Sequence, residues 1–432
     1  MKLVPGLQDS YNNGMFQAVR GTRDIFSPLV EEYVRLEAIA RRLAAQWGFG
    51  EIRIPTFEEA GLFKRGVGET TDIVEKEMYV FEDRGERQLA LRPEGTASVV
   101  RSYVENNMHQ KEKNCRLFYV ANMFRAERPQ AGRYREFEQV GFEVFGDPGP
   151  LADAEIITLA WEIFKSFGLS DLRLSLNSIG CPECRGPYRE KLETVLAQMI
   201  SQLCEDCQNR HQKNPLRCLD CKKCSEKVRA QAPAFQLCAA CQAHARIVED
   251  LLGACGLTFV NDPSLVRGLD YYTRTVFEIS SPVLGSQSAV CGGGRYDGLV
   301  ELLGGPATPA TGFALGVDRV VEARFKEKPP ASPPLKEQAA FLVFVKAGPK
   351  AVEYGFGLAQ RLRQKGVSVF CSSATDSIKS QMRQAGKSGA KYALMIGDDE
   401  FSKKQVLLKN LQDSSQATLS PEEVMTRLAS PC

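Results

Sequence analysis

Four prolines fall between Lys326 and Lys336, and they cut the chain into two stretches that are written differently. Proline fixes its own φ, has no amide to donate and pushes the residue before it towards extended conformations. Neither a helix nor a central strand can run through such a cluster, so residues 326–339 read as a linker. Beyond it, apolar runs at Phe341–Val345, Val367–Cys371 and Ala390–Ile396 alternate with helical stretches at Ala351–Gln364 and Ser377–Ala385. That alternation predicts a compact α/β domain over 340–432 with a largely parallel sheet. A chain of 432 residues also exceeds one ordinary core, as two domains require.

The stretch over 17–325 reads as an α+β domain of antiparallel sheet and helices. A helix is expected from Ser27, as N-cap, with Pro28 in its first position, to about Trp47. Its apolar stripe is Leu29, Tyr33, Leu36, Ile39 and Leu43. Strands are expected at Glu51–Ile54 (ending at Pro55), Gln88–Leu91, Arg116–Phe124, Phe137–Phe145, Thr275–Ile279 and Ser288–Cys291. Helices are expected at Leu151–Phe167 and from about Val317. Between about Leu172 and Leu257 cysteine, charge and Gln dominate, which marks an inserted domain with helical stretches at Tyr188–Leu203 and Ala243–Leu252. Residues 1–16 form an N-terminal extension without a legible role.

The net charge of +2 decides little, but its distribution says more. Residues 341–432 carry nine Lys and four Arg against eight acids, so this part is +5 and the rest −3. A basic appendage on a slightly acidic body suits a polyanion, although a chance excess on a solvated surface reads the same way. No signal-peptide core opens the chain, and no run approaches the roughly 20 apolar residues of a membrane span. A cytoplasmic protein without a membrane partner is therefore expected. In that reducing setting the 14 cysteines are not a disulfide framework. Nine of them lie between Cys181 and Cys241, as Cys181-x-x-Cys184, Cys204-x-x-Cys207, Cys218-x-x-Cys221-x-x-Cys224 and Cys238-x-x-Cys241. Such spacing suits structural zinc, with Cys181, Cys184, Cys204, Cys207, Cys221, Cys224, Cys238 and Cys241 as candidate ligands. It does not say which four thiolates would share an ion, and ancestral ligands partly lost are the alternative.

Four segments carry chemistry. An apolar strand enters the loop from Phe124 to Phe137, which holds Arg125, Arg128, Arg133 and Arg135, and a second strand leaves it. Guanidinium forks concentrated on a hairpin suit phosphate. In the exiting strand Gln139, Gly141 and Glu143 share one face, with Val140, Phe142 and Val144 on the other. The polar face, with its central glycine, leaves room for a small polar ligand, or else it simply faces solvent. Arg267-Gly268-Leu269-Asp270-Tyr271-Tyr272 sets an arginine and two tyrosines just before a strand, as a binding site or as a buried structural pair. Cys291-Gly292-Gly293-Gly294-Arg295-Tyr296-Asp297-Gly298 allows close backbone approach or an unusual turn. It is not a phosphate loop, because no Gly-Lys-Ser/Thr follows it. Gly312 to Arg319 reads as a strand of small residues passing into a helix.

Taken together, these segments resemble the sequence motifs of class II aminoacyl-tRNA synthetases. Pro55 resembles the proline of the dimer-interface motif, Arg125–Glu143 the second motif and Gly312–Arg319 the third. The Arg267–Tyr272 and Gly292–Gly298 peptides are similar to the two that distinguish histidyl-tRNA synthetases, and Arg92-Pro93-Glu94-Gly95-Thr96 resembles that family's amino-acid site. The match runs from about Gln17 to Leu428.

The resemblance implies ATP-dependent activation of L-histidine, its transfer to tRNA(His), Mg²⁺ bound with the ATP, a homodimer and a C-terminal anticodon-binding domain. Arg125 and Arg267 would be catalytic, on the α-phosphate and on the reacting carboxylate. Arg125, Arg133 and Arg319 would bind ATP. Glu94, Thr96 and Gln139 would take the substrate ammonium, and Glu143, Tyr271, Tyr272 and Tyr296 the imidazole. The competing function is a non-catalytic, histidine-binding regulatory subunit of ATP phosphoribosyltransferase. Such subunits lack the C-terminal domain and erode the phosphate-binding arginines.

Overall fold

A computed structural model describes residues 16–69, 71–129, 132–212, 214–219, 221, 223–266, 268–285, 288–328 and 336–429. Arg267 and nearly all of the expected N-terminal extension lie outside these. The chain divides into two compact units, Met1–Pro329 and Pro330–Cys432.

The first unit opens with helix α1 (Leu29–Gln46), which buries Tyr33, Leu36, Ala40, Leu43 and Ala44. Its start differs from the expected cap. The Phe26 carbonyl accepts from the amides of Leu29 and Val30, and the Ser27 hydroxyl bonds Glu31 instead of the backbone. Its end uses Gly48 at φ +74°, with the Phe49 amide reaching back to the Ala44 carbonyl. Strand β1 (Gly50–Glu51) is shorter than the expected Glu51–Ile54. Beyond it the Ile52 amide still bonds the Phe118 carbonyl, and Arg92 Nη1 takes the carbonyls of Ile54 (2.6 Å) and Pro55 (2.8 Å).

A small sheet of β2 (Phe57–Glu59), β3 (Val80–Glu82) and β4 (Gln88–Leu91) follows, with α2 (Ala60–Val67) between its strands. Next come α3 (Thr96–Glu105), α4 (Met108–Lys111), β5 (Cys115–Phe124), β6 (Glu136–Phe145), α5 (Pro150–Phe167) and β7 (Arg173–Ser178). The cysteine-bearing stretch contains α6 (Pro182–Gln198), α7 (Glu205–Arg210), α8 (Ser225–Gln231) and α9 (Ala239–Ala254). The unit closes with β8 (Val260–Asn261), β9 (Thr273–Ser280), β10 (Ala289–Arg295), α10 (Leu299–Leu302), β11 (Ala310–Gly316) and α11 (Val317–Glu327).

The main sheet has eight strands in the order β1-β5-β6-β11-β10-β9-β7-β8. Its two edge pairs are parallel and the interior is antiparallel. The expected insertion at 172–257 narrows at both ends. Strand β7 is part of this sheet, and Val248 and Leu252 of α9 belong to the main core.

One face of the sheet packs on α1, α5, α9 and α11. Across it runs a row of rings from Phe118 through Phe142 and Phe313 to Phe277, with stacked or edge-on neighbours 5.1–6.5 Å apart. Gly293 of β10 is in register with both Phe313 and Phe277. A Cβ on Gly293 would fall 2.3 Å from the Gly312 carbonyl, 2.6 Å from the Phe313 Cβ and 2.8 Å from the Phe277 ring, so this glycine lets the neighbouring strand and that ring close over it. The glycine run is thus inside a strand that extends past the expected Cys291. At Gly293 and Gly294 the close approach is made by protein.

The second unit is a five-stranded sheet, β13-β12-β14-β15-β16. Its elements are β12 (Lys336–Phe344), α12 (Pro349–Gln364), β13 (Ser368–Cys371), α13 (Ile378–Lys387), β14 (Ala390–Ile396), α14 (Asp398–Ser402), β15 (Val406–Asn410), β16 (Gln416–Leu419) and α15 (Pro421–Ala429). The first three strands pair in parallel as expected, while β15 and β16 add an antiparallel edge. Strand β12 also begins inside the expected linker.

Candidate active site

The side-chain alternation of β6 sets the site. Val140, Phe142 and Val144 point into the main core, as their spacing predicts. Gln139, Gly141 and Glu143 therefore face the opposite side, where β6, β11 and β10 bring Gly141, Ala314 and Gly292 into register. Of these, Gly292 and Ala314 line a cavity of ≈ 240 Å³. Glu94, Thr96, Arg125, Gln139, Tyr271, Tyr272, Arg133 and Arg319 all line it. Eight residues singled out from four separate stretches of sequence thus meet in one place.

Its cationic end comes from the hairpin and from α11. Arg125 is held by Nε donating to the Pro93 carbonyl (2.8 Å), with its guanidinium 5.2 Å from the Phe137 ring centroid. Arg319 Nε donates to the Ala289 carbonyl (2.6 Å). Burial, and then the charge of Arg133, lowers the Arg319 pKa, which marks two guanidiniums held close together. Glu127 lies between the hairpin cations, 2.9 Å from Arg133 and 3.9 Å from Arg125. Beneath Arg319, Asp318 is buried and accepts from Arg23 (2.8 Å), Tyr33 (2.8 Å) and the Glu138 amide (2.9 Å). It thereby fixes the start of α11 against α1 and β6.

The other end is acidic and phenolic. The Glu94 carboxylate accepts from the amides of Thr96 and Ala97, both at 2.8 Å, and so caps α3 while lining the cavity. Burial raises its pKa, and those two amides oppose the rise. Glu143 and Tyr296 are fully buried and do not line the cavity; they form the layer beneath it. Glu143 accepts from the Thr96 hydroxyl (2.8 Å) and from the Tyr296 hydroxyl. Burial pushes the Glu143 carboxyl up to about 8, against the pull of those two bonds. Burial also drives Tyr271 and Tyr296 well above the usual phenol range, so both stay protonated near neutral pH.

The space expected at Gly141 is filled by protein. Tyr119 of β5, in register with Gly141, lays its ring there. A Cβ on Gly141 would fall 2.2 Å from the ring, and one on Gly95 would fall 2.3 Å from it. Tyr119 is a site residue that sequence reasoning missed; only the pairing of an aromatic with a glycine across two strands could have flagged it. Glu127, Arg23 and Asp318 were likewise not assigned roles.

A sheet that seats clustered arginines on its own hairpin, beside a helix that follows a small-residue strand, has the build of a class II aminoacyl-tRNA synthetase catalytic domain. Comparison with known proteins bears this out. Residues 21–320 match the family model "Histidyl-tRNA synthetase" and residues 338–430 the model "Anticodon binding domain". The histidine–tRNA ligase of Desulfitobacterium hafniense (strain DSM 10664 / DCB-2) is 45% identical over 406 residues, covering 93% of this chain and 95% of that protein. That of Geobacter sulfurreducens is 45% identical over 424 residues, covering 96% and 100%. The apo structure of S. aureus histidyl-tRNA synthetase superposes with a TM-score of 0.81 at 34% identity, covering 96% of this chain and all of that one. A Bacillus halodurans structure titled as an ATP phosphoribosyltransferase regulatory subunit/histidyl-tRNA synthetase shares the fold, with a TM-score of 0.62 at 23% identity over 88% and 98% of the two chains. The chain belongs to the histidyl-tRNA synthetase family. No helix among its described residues is long and apolar enough to cross a membrane.

Proposed function

We propose that the protein activates L-histidine with ATP and transfers it to tRNA(His). The observation that carries this is one cavity with Arg125, Arg133 and Arg319 at one end and Glu94, Gln139 and paired tyrosines at the other. A polyanion and an ammonium-bearing amino acid can lie in it side by side. A histidine carboxylate oxygen attacks the α-phosphorus of ATP and pyrophosphate leaves; a terminal tRNA hydroxyl then attacks the acyl carbon and AMP leaves. Both histidine and ATP bring anions to the reacting centre, so fixed cations stabilise the transition state more than the ground state. Arg125 serves the α-phosphate, Arg133 the outer phosphates, and Arg319 the adenine and phosphates. Arg267, outside the described residues, is assigned to the reacting carboxylate and phosphate. Glu94, Thr96 and Gln139 take the ammonium, and Tyr271, Tyr272, Tyr296 and Glu143 the imidazole. Buried hydrogen-bonding groups reject isosteres by roughly 10⁴ or more, which makes editing unnecessary.

Magnesium would arrive on the outer phosphates, where Glu127 is a carboxylate lining the cavity beside Arg133. Zinc would occupy the cysteines as a structural ion. The second unit, with its +5 charge, would bind tRNA. A cytoplasmic homodimer is proposed. Supporting it, Pro55 is exposed beside Phe57, itself 53% exposed and edge-on to Phe81, which is 41% exposed. The functional parts proposed are 17–325 for catalysis, 326–339 as linker and 340–432 for tRNA.

The test is ATP–pyrophosphate exchange with each of the twenty amino acids. Exchange is expected with histidine alone. Exchange with proline would overturn the assignment, and histidine binding without any exchange would favour the regulatory-subunit reading.

A further inference from the structure

The cysteines sort themselves into two groups that the spacing alone does not define. Cys181, Cys184, Cys238 and Cys241 have sulfurs all within 4.8 Å of one another, and so do Cys204, Cys207, Cys221 and Cys224. Within them Sγ···Sγ separations are 3.7 Å (Cys181–Cys184), 3.9 Å (Cys181–Cys238) and 3.6 Å (Cys204–Cys221). A disulfide needs about 2.05 Å. Four sulfurs each about 2.3 Å from a central tetrahedral ion would stand about 3.8 Å apart. The amides of Cys238 and Cys204 each donate to a sulfur of their own group, Cys184 and Cys224, at 3.1 Å. Cys218 stays out; it is fully buried and its thiol faces the Cys207 carbonyl.

Side chains adjoining these cysteines grip the walls of the active site. Arg185, next to Cys184, donates to the Tyr272 carbonyl (2.9 Å). Arg217, next to Cys218, pairs with Asp270 (2.9 Å) and donates to the Gly268 carbonyl. Asp206, between Cys204 and Cys207, meets Lys76 (3.1 Å), and Arg210 meets Asp72 (2.8 Å). The 72–77 segment so held offers its Glu77 carbonyl to the Ala126 amide (2.7 Å) in the arginine hairpin. Both peptides that shape the cavity are thereby anchored to the cysteine-bearing segment.

We propose that each group binds one zinc-class divalent ion through four thiolates, and that the two ions hold Arg185 and Arg217 as a clamp on the Gly268–Tyr272 wall of the substrate cavity. The pairing fastens Cys181 to Cys238, far apart in sequence, so the ion closes the base of the segment; the second ion fixes its tip, where Arg217 projects. Arg185 and Arg217 are positioning residues and touch no substrate. The effect on catalysis rests on the histidine-activation reading, whereas the ion sites do not.

Protein purified without chelator from zinc-supplemented cells should carry one zinc per group. Cys238→Ser and Cys204→Ser should each lose one ion. Co²⁺ in place of zinc should show the intense visible bands of a tetrathiolate site. Metal-free protein, or iron accompanied by inorganic sulfide, overturns the sites. The double variant Arg185→Met/Arg217→Met should keep both ions and its fold. It should take up deuterium faster over residues 262–272 and lose roughly 10–100-fold in histidine-dependent exchange, the range for removing groups that orient a site from outside it. Unchanged deuterium uptake and exchange in that variant overturn the clamp and leave the ion sites standing. Wild-type protein without histidine-dependent exchange would instead sink the function reading, with the metal count and the deuterium uptake still deciding the proposal.

Discussion

Replacing Asp153 by Asn should destabilise the first unit by about 3 kcal/mol. Asp153 is 1% exposed and lies between Arg295, at 0%, and His244, at 6%. Its carboxylate reaches Arg295 Nη2 at 2.8 Å and His244 Nε2 at 2.8 Å, joining α5, β10 and α9. Asparagine keeps the shape but removes the charge; its one oxygen can take the Oδ2 place beside His244 Nε2 (2.8 Å) and Arg295 Nε (3.2 Å), but its NH₂ then faces Arg295 Nη2, donor against donor, where Oδ1 stood. Stripping one partner from a buried pair costs about 3–5 kcal/mol, because the remaining charge stays dehydrated. Arg295 retains Asp297 (3.0 Å) and the carbonyls of Asp147 and Gly149, which argues for the lower end. Burial alone would raise the Asp153 pKa, but His244 and Arg295 outweigh it and hold it below the ordinary value. A depressed carboxyl stabilises above its unfolded pKa and loses that contribution as pH falls through its folded pKa. The gap between wild type and variant should therefore be constant from mildly acidic to neutral pH and close on further acidification. The two tryptophans, Trp47 and Trp161, both lie in the first unit, so urea titration followed by tryptophan fluorescence reports on that unit. An unchanged midpoint at unchanged slope would refute the reasoning.

Three further outcomes are expected. Gly141→Ala drives a methyl into Tyr119, whose ring cannot retreat past Gly95, so histidine-dependent exchange should fall on the order of 10²-fold with little change in KM for ATP; steady-state exchange kinetics equal to wild type would show that the ring has somewhere to go. With its carboxyl near pKa 8, Glu143 is a neutral acid at pH 7 before substrate binds; the positive charge of the histidine ammonium, held by neighbouring Glu94, should draw that proton off, so calorimetric binding enthalpy should vary with buffer at pH 7, and buffer-independent enthalpies at pH 7 would contradict it. Deleting Phe341–Cys432 should leave exchange largely intact while severely reducing tRNA charging and its salt dependence; equal loss of both activities on one preparation would mean that this unit supports the fold.

Local patterns were legible wherever one residue's neighbour decides its side. The alternation along β6 set Val140, Phe142 and Val144 on one face, which is the core face, and the small-residue run from Gly312 announced a strand passing into a helix. Glycine meanings were not legible. Gly141 and Gly293 look like openings for a ligand, yet Tyr119 and Phe277 fill them, and strand register across the sheet is invisible in one chain's text. The same limit applied to the cysteines, since the partnership of Cys181 with Cys238 depends on how α6 and α9 return to one point. Strands β15 and β16 escaped notice because both are short and part-polar, with edge exposure that blurs the period of two. Nor does the sequence show Arg92 holding the Ile54 and Pro55 carbonyls, a contact made from almost forty residues away.

Glu127 gives the cationic end of the cavity its own counter-ion. Because this carboxylate already rests on Arg133, an incoming phosphate does not add itself to bare guanidiniums but takes the place of an anion tethered beside them. Binding becomes a swap in which a covalently attached competitor sits at a fixed, high local concentration. Single phosphates and other small anions contest that position poorly. On the ATP-binding reading proposed above, a triphosphate reaching Arg125, Arg133 and Arg319 together would prevail, so the site would rest in a state that screens out the commonest anions of a cell.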